Sequence, residues 1–152
     1  MSHVRSFRDK TVLAVPSDPR FIGLVREWSA GVACMAGMDG TASGEVSLAV
    51  VEAFANVVRH SYEGDATKKI NLAAELYPDR IEIEIRDYGK TTHPAEIRAR
   101  DLDDVQPGGL GVHFIREIMD EVVYEPGRGL GMRLVMVRRV DRRRPSEDAD
   151  NE

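Results

Sequence analysis

Three polar side chains lie four residues apart in an otherwise apolar run: Glu52, Asn56 and His60 in "EAFANVVRH". A step of four residues turns an α-helix about 40° past a full turn, so the three form one slowly drifting row. An asparagine oxygen is a neutral ligand for a hard cation such as Mg²⁺, and a carboxylate one turn away can accept a proton from a hydroxyl nucleophile. Phosphoryl transfer requires such a pair. The alternative is a solvated helix edge, on which His60 interacts favourably with the helix dipole.

Two further motifs contain glycines at positions where a ligand can approach the backbone. In "RDYGK", Asp87 follows an alternating strand pattern, and its carboxylate can accept a hydrogen bond from an exocyclic amine such as that of adenine. Gly89 allows a ring to approach the backbone closely, although Asp-x-Gly is also a common turn. The segment "GGLG" at 108–111 opens an amphipathic helix pattern, where free N–H groups and the helix dipole make an anion site. A plain turn explains these glycines less readily.

The apolar periodicities predict the elements that must position these residues. The predicted helices run from Phe21 to about Met38, from Thr41 or Ser43 to Gly64, and from the "GGLG" segment onward. The predicted strands are 4–15, 68–78, 79–89 and the two on either side of the glycine run "GRGLG" at 127–131, which we interpret as a hairpin turn.

The order of these elements predicts an α+β fold. Strands that follow each other favour antiparallel pairing, and in 79–89 isoleucines alternate with charged residues, as in a half-buried strand. We therefore expect a two-layer α/β sandwich with a mixed, mostly antiparallel sheet that helices cover on one face. Residues 90–107 read as a lid, 1–140 as one domain, and 141–152 as a charged, disordered tail.

Composition limits the class of protein. The chain has 152 residues, 42% of them hydrophobic and 31% charged, with a formal charge of -5. That charge argues against direct nucleic-acid binding. The single cysteine, Cys34, allows no internal disulfide. The N-terminus lacks the apolar core of a signal peptide and no apolar run approaches a membrane span, so we expect a soluble, cytoplasmic protein without membrane contact.

The ordered set "EAFANVVRH", "RDYG", a lid and "GGLGVHFIREIMDEV" resembles the GHKL ATPase superfamily. More closely, it is similar to the bacterial anti-sigma factor serine/threonine kinases, over roughly residues 10–140. The resemblance implies the GHKL (Bergerat) fold, a histidine-kinase-like ATP-binding domain. One departure is Thr91, which stands where the superfamily often has a second glycine after Gly89.

The resemblance also implies roles for individual residues. Glu52 would be the general base for a protein serine, Asn56 would ligate Mg²⁺, and His60 would have a structural or supporting role. In the lid, Arg98 or Arg100 would reach the terminal phosphate, unless both are solvated lid charges. The residues implied to bind the nucleotide are Asn56, Asp87, Gly89, Gly109, Leu110 and Gly111.

Two functions follow from the resemblance. The first is an anti-sigma factor that binds Mg-ATP or ADP, phosphorylates a serine or threonine of a small antagonist (anti-anti-sigma) protein, sequesters a sigma factor and forms a homodimer. The second is a nucleotide-binding partner-switching module without significant kinase activity. A sensor histidine kinase is expected less, because it would need a helical phosphoacceptor segment for which the chain has no room.

Overall fold

The computed structural model describes residues 9–60, 65–89, 110–126 and 131–140. Its helices are α1 (Ile22–Met35), α2 (Gly40–His60) and α3 (Leu110–Ile118). Its strands are β1 (Asp9–Pro16), β2 (Lys69–Leu76), β3 (Arg80–Arg86), β4 (Glu121–Pro126) and β5 (Met132–Arg139). The predicted lid at 90–107 and tail at 141–152 lie outside the described residues, and the single domain at 1–140 stays a prediction.

The strands form one sheet in the order β1-β2-β3-β5-β4. The α+β class and the predicted hairpins are confirmed, since β2 pairs with β3 and β4 pairs with β5. The prediction of a mixed sheet is wrong for the described strands, because every neighbouring pair there is antiparallel. Strands β2 and β3 form one hairpin, and β4 and β5 form another. The antiparallel pairing of β3 with β5 joins the two hairpins into one sheet.

One face of the sheet is apolar and the helices cover it. In β3, Ile81, Ile83 and Ile85 are almost fully buried, whereas the residues between them are half-buried. The same alternation runs through β2, so the two strands present one continuous apolar face. Buried side chains of α1, α2 and α3 join that face in a single hydrophobic cluster. The core therefore lies between the helix layer and the sheet.

Helix α2 is the central element of the helix layer. Val46 near its start and Val58 near its end are both buried, so it lies against the core along its whole length. The prediction that no apolar run approaches a membrane span is wrong for this helix, by length and composition: it has 21 residues, and an 18-residue window within it has a mean hydropathy of 1.2. Its apolar stripe is buried against the rest of the protein, as expected for a core helix.

The beginning of α2 differs from the predicted one. We expected Thr41 or Ser43 to start the helix, but the helix begins at Gly40, and the Asp39 carboxylate accepts a hydrogen bond from the backbone N–H of Ala42 at 2.8 Å. An aspartate is as good an N-cap as serine and better than threonine, and here it precedes both in the chain. The helix extends to His60 and the predicted end at Gly64 lies outside the described residues.

Replacing Ile83 by alanine should lower the free energy of unfolding by roughly 2–5 kcal/mol, because it leaves a cavity in the middle of the central strand. Ile83 is fully buried, whereas Val12 on the edge strand β1 is 62% exposed. The matched variant Val12→Ala should therefore change stability by no more than about 0.5 kcal/mol. Urea denaturation followed by circular dichroism measures both. Equal effects of the two variants would contradict the placement of the core.

Candidate active site

Helix α2 runs from one end of the sheet to the other. Its first turns lie beside the end of β5, where the Glu45 carboxylate and the Arg138 guanidinium are 3.0 Å apart. The helix has 21 residues and is about 30 Å long, which matches an eight-residue strand of about 27 Å. Since β5 is antiparallel to β3, this ion pair lies at the end of the sheet where β3 begins. We therefore infer from the length of α2 that its second half extends to the opposite end, at which β3 ends.

The predicted polar row lies on that second half of α2. Glu52 and Asn56 are half-buried and His60 is exposed, so the row follows the margin of the buried stripe, as the sequence predicts. The Asn56 Oδ1 atom accepts a hydrogen bond from Arg59 Nη2 at 2.8 Å. This contact turns the amide oxygen toward the Arg59 guanidinium. An amide oxygen has two lone pairs, so Oδ1 can accept one further partner.

Asp87 is a buried carboxylate at this end of the sheet. It follows the last residue of β3 and only 1% of it is exposed. Its Oδ1 accepts a hydrogen bond from the backbone N–H of Gly89 at 3.0 Å, and its own N–H donates to the Met132 carbonyl of β5 at 3.0 Å. The predicted turn at "DYG" is therefore an Asx-type turn, closed by the carboxylate itself.

Gly131, the residue just before β5, packs directly against the backbone of Asp87 at the end of β3. Its φ is +92°, and a Cβ placed there would lie 2.7 Å from the Tyr88 Cα and closer still to the Asp87 carbonyl oxygen. Only glycine permits this approach. The Arg86 guanidinium donates to the same Asp87 carbonyl and, at 3.2 Å, to that of Met132. These contacts form a clamp on the Asp87 backbone, made by Gly131 and Met132 at the start of β5 and by Arg86 of β3 itself.

The glycine-rich segment is described only in part. Leu110 and Gly111 form the first turn of α3, and the side chains of this turn are not described. Gly109, with Arg98 and Arg100 of the predicted lid, lies outside the described residues. Helix α3 packs against α2, and Ile115 of the helix and Met119 just after it are buried. In the described ranges, no three His, Cys, Asp or Glu residues cluster as a metal site.

Comparison with known proteins now identifies the family. The histidine kinase-like ATPase domain family matches residues 15–138, a range that includes both polar motifs and Gly131. The chain belongs to this family. Among solved structures, the mycobacterial sensor histidine kinase MprB superposes with a TM-score of 0.54 at 14% identity, over 88% of this chain and 97% of that one. At that identity the likeness supports the histidine kinase-like ATPase fold alone.

Among curated proteins, serine-protein kinases named RsbW are similar over most of their length. The relative from Listeria innocua serovar 6a is 28% identical over 95% of this chain and 96% of its own. The one from Halalkalibacterium halodurans is 31% identical over 78% of this chain and 76% of its own. The predicted resemblance is confirmed, and with it the enzyme class, an ATP-dependent serine/threonine protein kinase within the histidine kinase-like ATPase family.

Two contacts of the site were not predicted from the sequence: the packing of Gly131 on Asp87 and the hydrogen bond from Arg59 to Asn56. The pairing of Pro126 with Met132 confirms the predicted hairpin of β4 and β5, while residues 127–130 of the "GRGLG" run lie outside the described residues. Nothing local indicated that Gly131 packs against Asp87. The contact joins residues 44 positions apart in the chain. The Arg59 contact with Asn56 has a local signal, because a spacing of three places both on one helix face.

Replacing Gly131 by alanine should lower the free energy of unfolding by at least about 2 kcal/mol, because its positive φ disfavours a Cβ and the Asp87 carbonyl occupies the space. Gly31 in α1 has open space where a Cβ would lie, with no other atom within 4 Å. The control Gly31→Ala should therefore raise stability, by up to about 1 kcal/mol. Chemical denaturation of both variants is the measurement, and an unchanged Gly131→Ala protein would contradict the close packing on Asp87.

Proposed function

We propose that this chain binds Mg-ATP and transfers the terminal phosphoryl group to a serine or threonine of a small antagonist (anti-anti-sigma) protein, and that it sequesters a sigma factor when the antagonist is phosphorylated. The observation that carries the proposal is the arrangement at one end of the sheet. A buried carboxylate, Asp87, lies there beside a glycine that leaves room for no side chain. The half-buried pair Glu52 and Asn56 lies on the second half of α2, which we infer extends to the same end.

The adenine would be held at the end of β3. Asp87 is acceptor-only when ionised, so it suits the exocyclic amine of adenine. Its Oδ1 already accepts from the Gly89 N–H, which orients the carboxyl group. Gly89 has no side chain to keep the ring from the backbone. The clamp formed by Gly131 and Arg86 holds this acceptor in place without ligand, which lowers the entropy lost on binding.

The phosphates would be bound at the start of α3. Gly109, Leu110 and Gly111 would supply backbone N–H groups for them, because the first N–H groups of a helix have no carbonyl partner within it and lie at the positive end of its dipole. Asn56 would be the protein's ligand to Mg²⁺, which when bound neutralises charge between the phosphates. Mg²⁺ commonly takes few protein ligands and completes its shell with phosphate oxygens and water.

Glu52 would accept the proton of the substrate hydroxyl. It lies one turn before Asn56 on the same helix margin, half-buried, so its carboxylate is near the proposed metal without being its ligand. Partial burial limits competition from water for that proton. The role is the base in a phosphoryl transfer, in which positioning and charge stabilisation supply most of the catalysis.

A second candidate is a nucleotide-binding partner-switching module without significant kinase activity. The Arg59 contact favours it, because a guanidinium on the Asn56 oxygen opposes a divalent cation at the same atom. In either case the partners proposed are a sigma factor, an antagonist protein and a second copy of the chain in a homodimer, and the proposed location is the cytoplasm. Incubation with labelled ATP, Mg²⁺ and the antagonist recovered from native cells separates the two candidates.

The variant Glu52→Gln should transfer phosphate to the antagonist at least about 100-fold more slowly, while its ATP affinity changes by less than about threefold, because only the proton acceptor is lost. The control is Glu27→Gln on the exposed face of α1, which should match the parent in both. Radiolabel transfer and calorimetry give the two quantities. A Glu52→Gln enzyme that works at the parent rate would exclude Glu52 as the base.

The variant Asn56→Ala should bind ATP with the same affinity in the presence and absence of Mg²⁺, because it loses the metal ligand and keeps the adenine site. The matched control is Asn71→Ala in β2, where the amide donates to the Tyr88 hydroxyl at 3.2 Å and faces away from α2. Titrations with and without magnesium provide the test. If Asn56→Ala retains the parent's metal dependence, another group binds the metal.

A further inference from the structure

We propose that Arg138 is a positioning residue for phosphate binding. It acts from the end of α3 that lies opposite the proposed phosphate site. The inference rests on the proposed function, because it concerns how the start of α3 is aligned with Glu52 and Asn56. Arg138 contacts neither proposed ligand group. It acts through the two helices on which those groups lie.

The Arg138 side chain joins three elements. It extends from β5, and its Nη2 atom lies 3.0 Å from Glu45 Oε2 of α2. Its Nη1 atom donates to the carbonyl of Ile118, the last residue of α3, at 2.5 Å. Only 21% of the side chain is exposed. A guanidinium has five donors in a rigid plane, so one side chain can bind both acceptors at once, and its charge favours a helix C-terminus.

The end of α3 is fixed to β5 by further bonds in the described part of the chain. The backbone N–H of Asp120 donates to the Val137 carbonyl at 2.8 Å, and the Asp120 carboxylate accepts from the N–H of Arg139 at 2.6 Å. These bonds hold the residues just after α3 to the sheet. The Arg138 side chain differs from these bonds, because it contacts α2 as well as α3. It therefore sets the lateral position of one helix relative to the other.

The Arg138 bridge joins the start of α2 to the end of α3. From this anchor, α2 leads from Glu45 to Glu52 and α3 leads back from Ile118 to Gly111, with seven residues in each case. At 1.5 Å per residue, both paths cover about 10 Å. Since the two helices also pack against each other, equal path lengths from the anchor would bring the first turn of α3 beside Glu52. A small tilt of α3 about its anchored end displaces that first turn most.

This geometry separates positioning from plain stability. Loss of Arg138 would leave Glu45 without its cation and free α3 to tilt, which affects the proposed phosphate site and leaves the end of β3 untouched. The clamp on Asp87 involves Arg86, Met132 and Gly131, none of which Arg138 contacts in the described residues. ATP binding should therefore weaken while adenosine binding stays the same.

The experiment compares ATP with adenosine on the full chain, in the presence of Mg²⁺, by calorimetry for ATP and NMR titration for adenosine. For Arg138→Met we expect the Kd for ATP to rise about tenfold and that for adenosine to change by less than about twofold. The control is Arg139→Met, which removes the same charge next door but keeps the backbone bond to Asp120. It should bind both ligands as the parent does.

Each outcome decides the matter. Equal changes for ATP and adenosine, or no change for either, would overturn the positioning role and leave the proposed function intact. A parent chain that does not bind Mg-ATP would overturn the proposed function itself. If Arg138→Met does not fold, Glu45→Leu replaces it as the variant, since it removes the acceptor on α2 and keeps the bond from Arg138 to Ile118. It should weaken ATP binding several-fold and spare adenosine, and an unchanged ATP affinity there would overturn the inference.

Discussion

The packing of one long helix on one apolar sheet face governs this structure. Because β2 and β3 expose apolar side chains on a single face, α2 must lie along that face to cover it, from Val46 to Val58. A helix in this position has two margins that are half-buried. Glu52 and Asn56 lie on such a margin, in the half of the helix that we infer extends to the end of β3. The core thus orients the site.

The site itself contains features that work against stability. Asp87 is a carboxylate with 1% of its surface exposed, and burial of such a group is unfavourable without partners. Gly131 adopts a conformation that most residues avoid so that the neighbouring strand can approach Asp87. Local features that disfavour folding persist where the surroundings fix them, and they cluster at functional sites. Here the hydrogen bonds of β3 with β5 and the donors of Arg86 supply that support.

Whether a contact could be predicted from the sequence depended on how far apart in the chain its two residues lie. The row on α2 follows from a four-residue spacing, and the alternating isoleucines of β3 predicted which face is buried, because both patterns are local. The contact of Gly131 with Asp87 and the bridge from Arg138 to Glu45 join residues 44 and 93 positions apart, and no periodicity indicates them. The Asp39 cap is also local. The sequence did not single it out, because Thr41 and Ser43, which follow it, are capping residues too.

We expect the polar row of α2 and the first turn of α3 to meet at one metal and one triphosphate. Paramagnetic Mn²⁺ prefers the same oxygen ligands as Mg²⁺ and broadens NMR signals of nearby nuclei. With Mn-ATP bound, the amide signals of Asn56 and of both Gly109 and Gly111 should therefore broaden together, while those of edge strand β1 stay sharp. Broadening at only one of the two helices, or at neither, would contradict it.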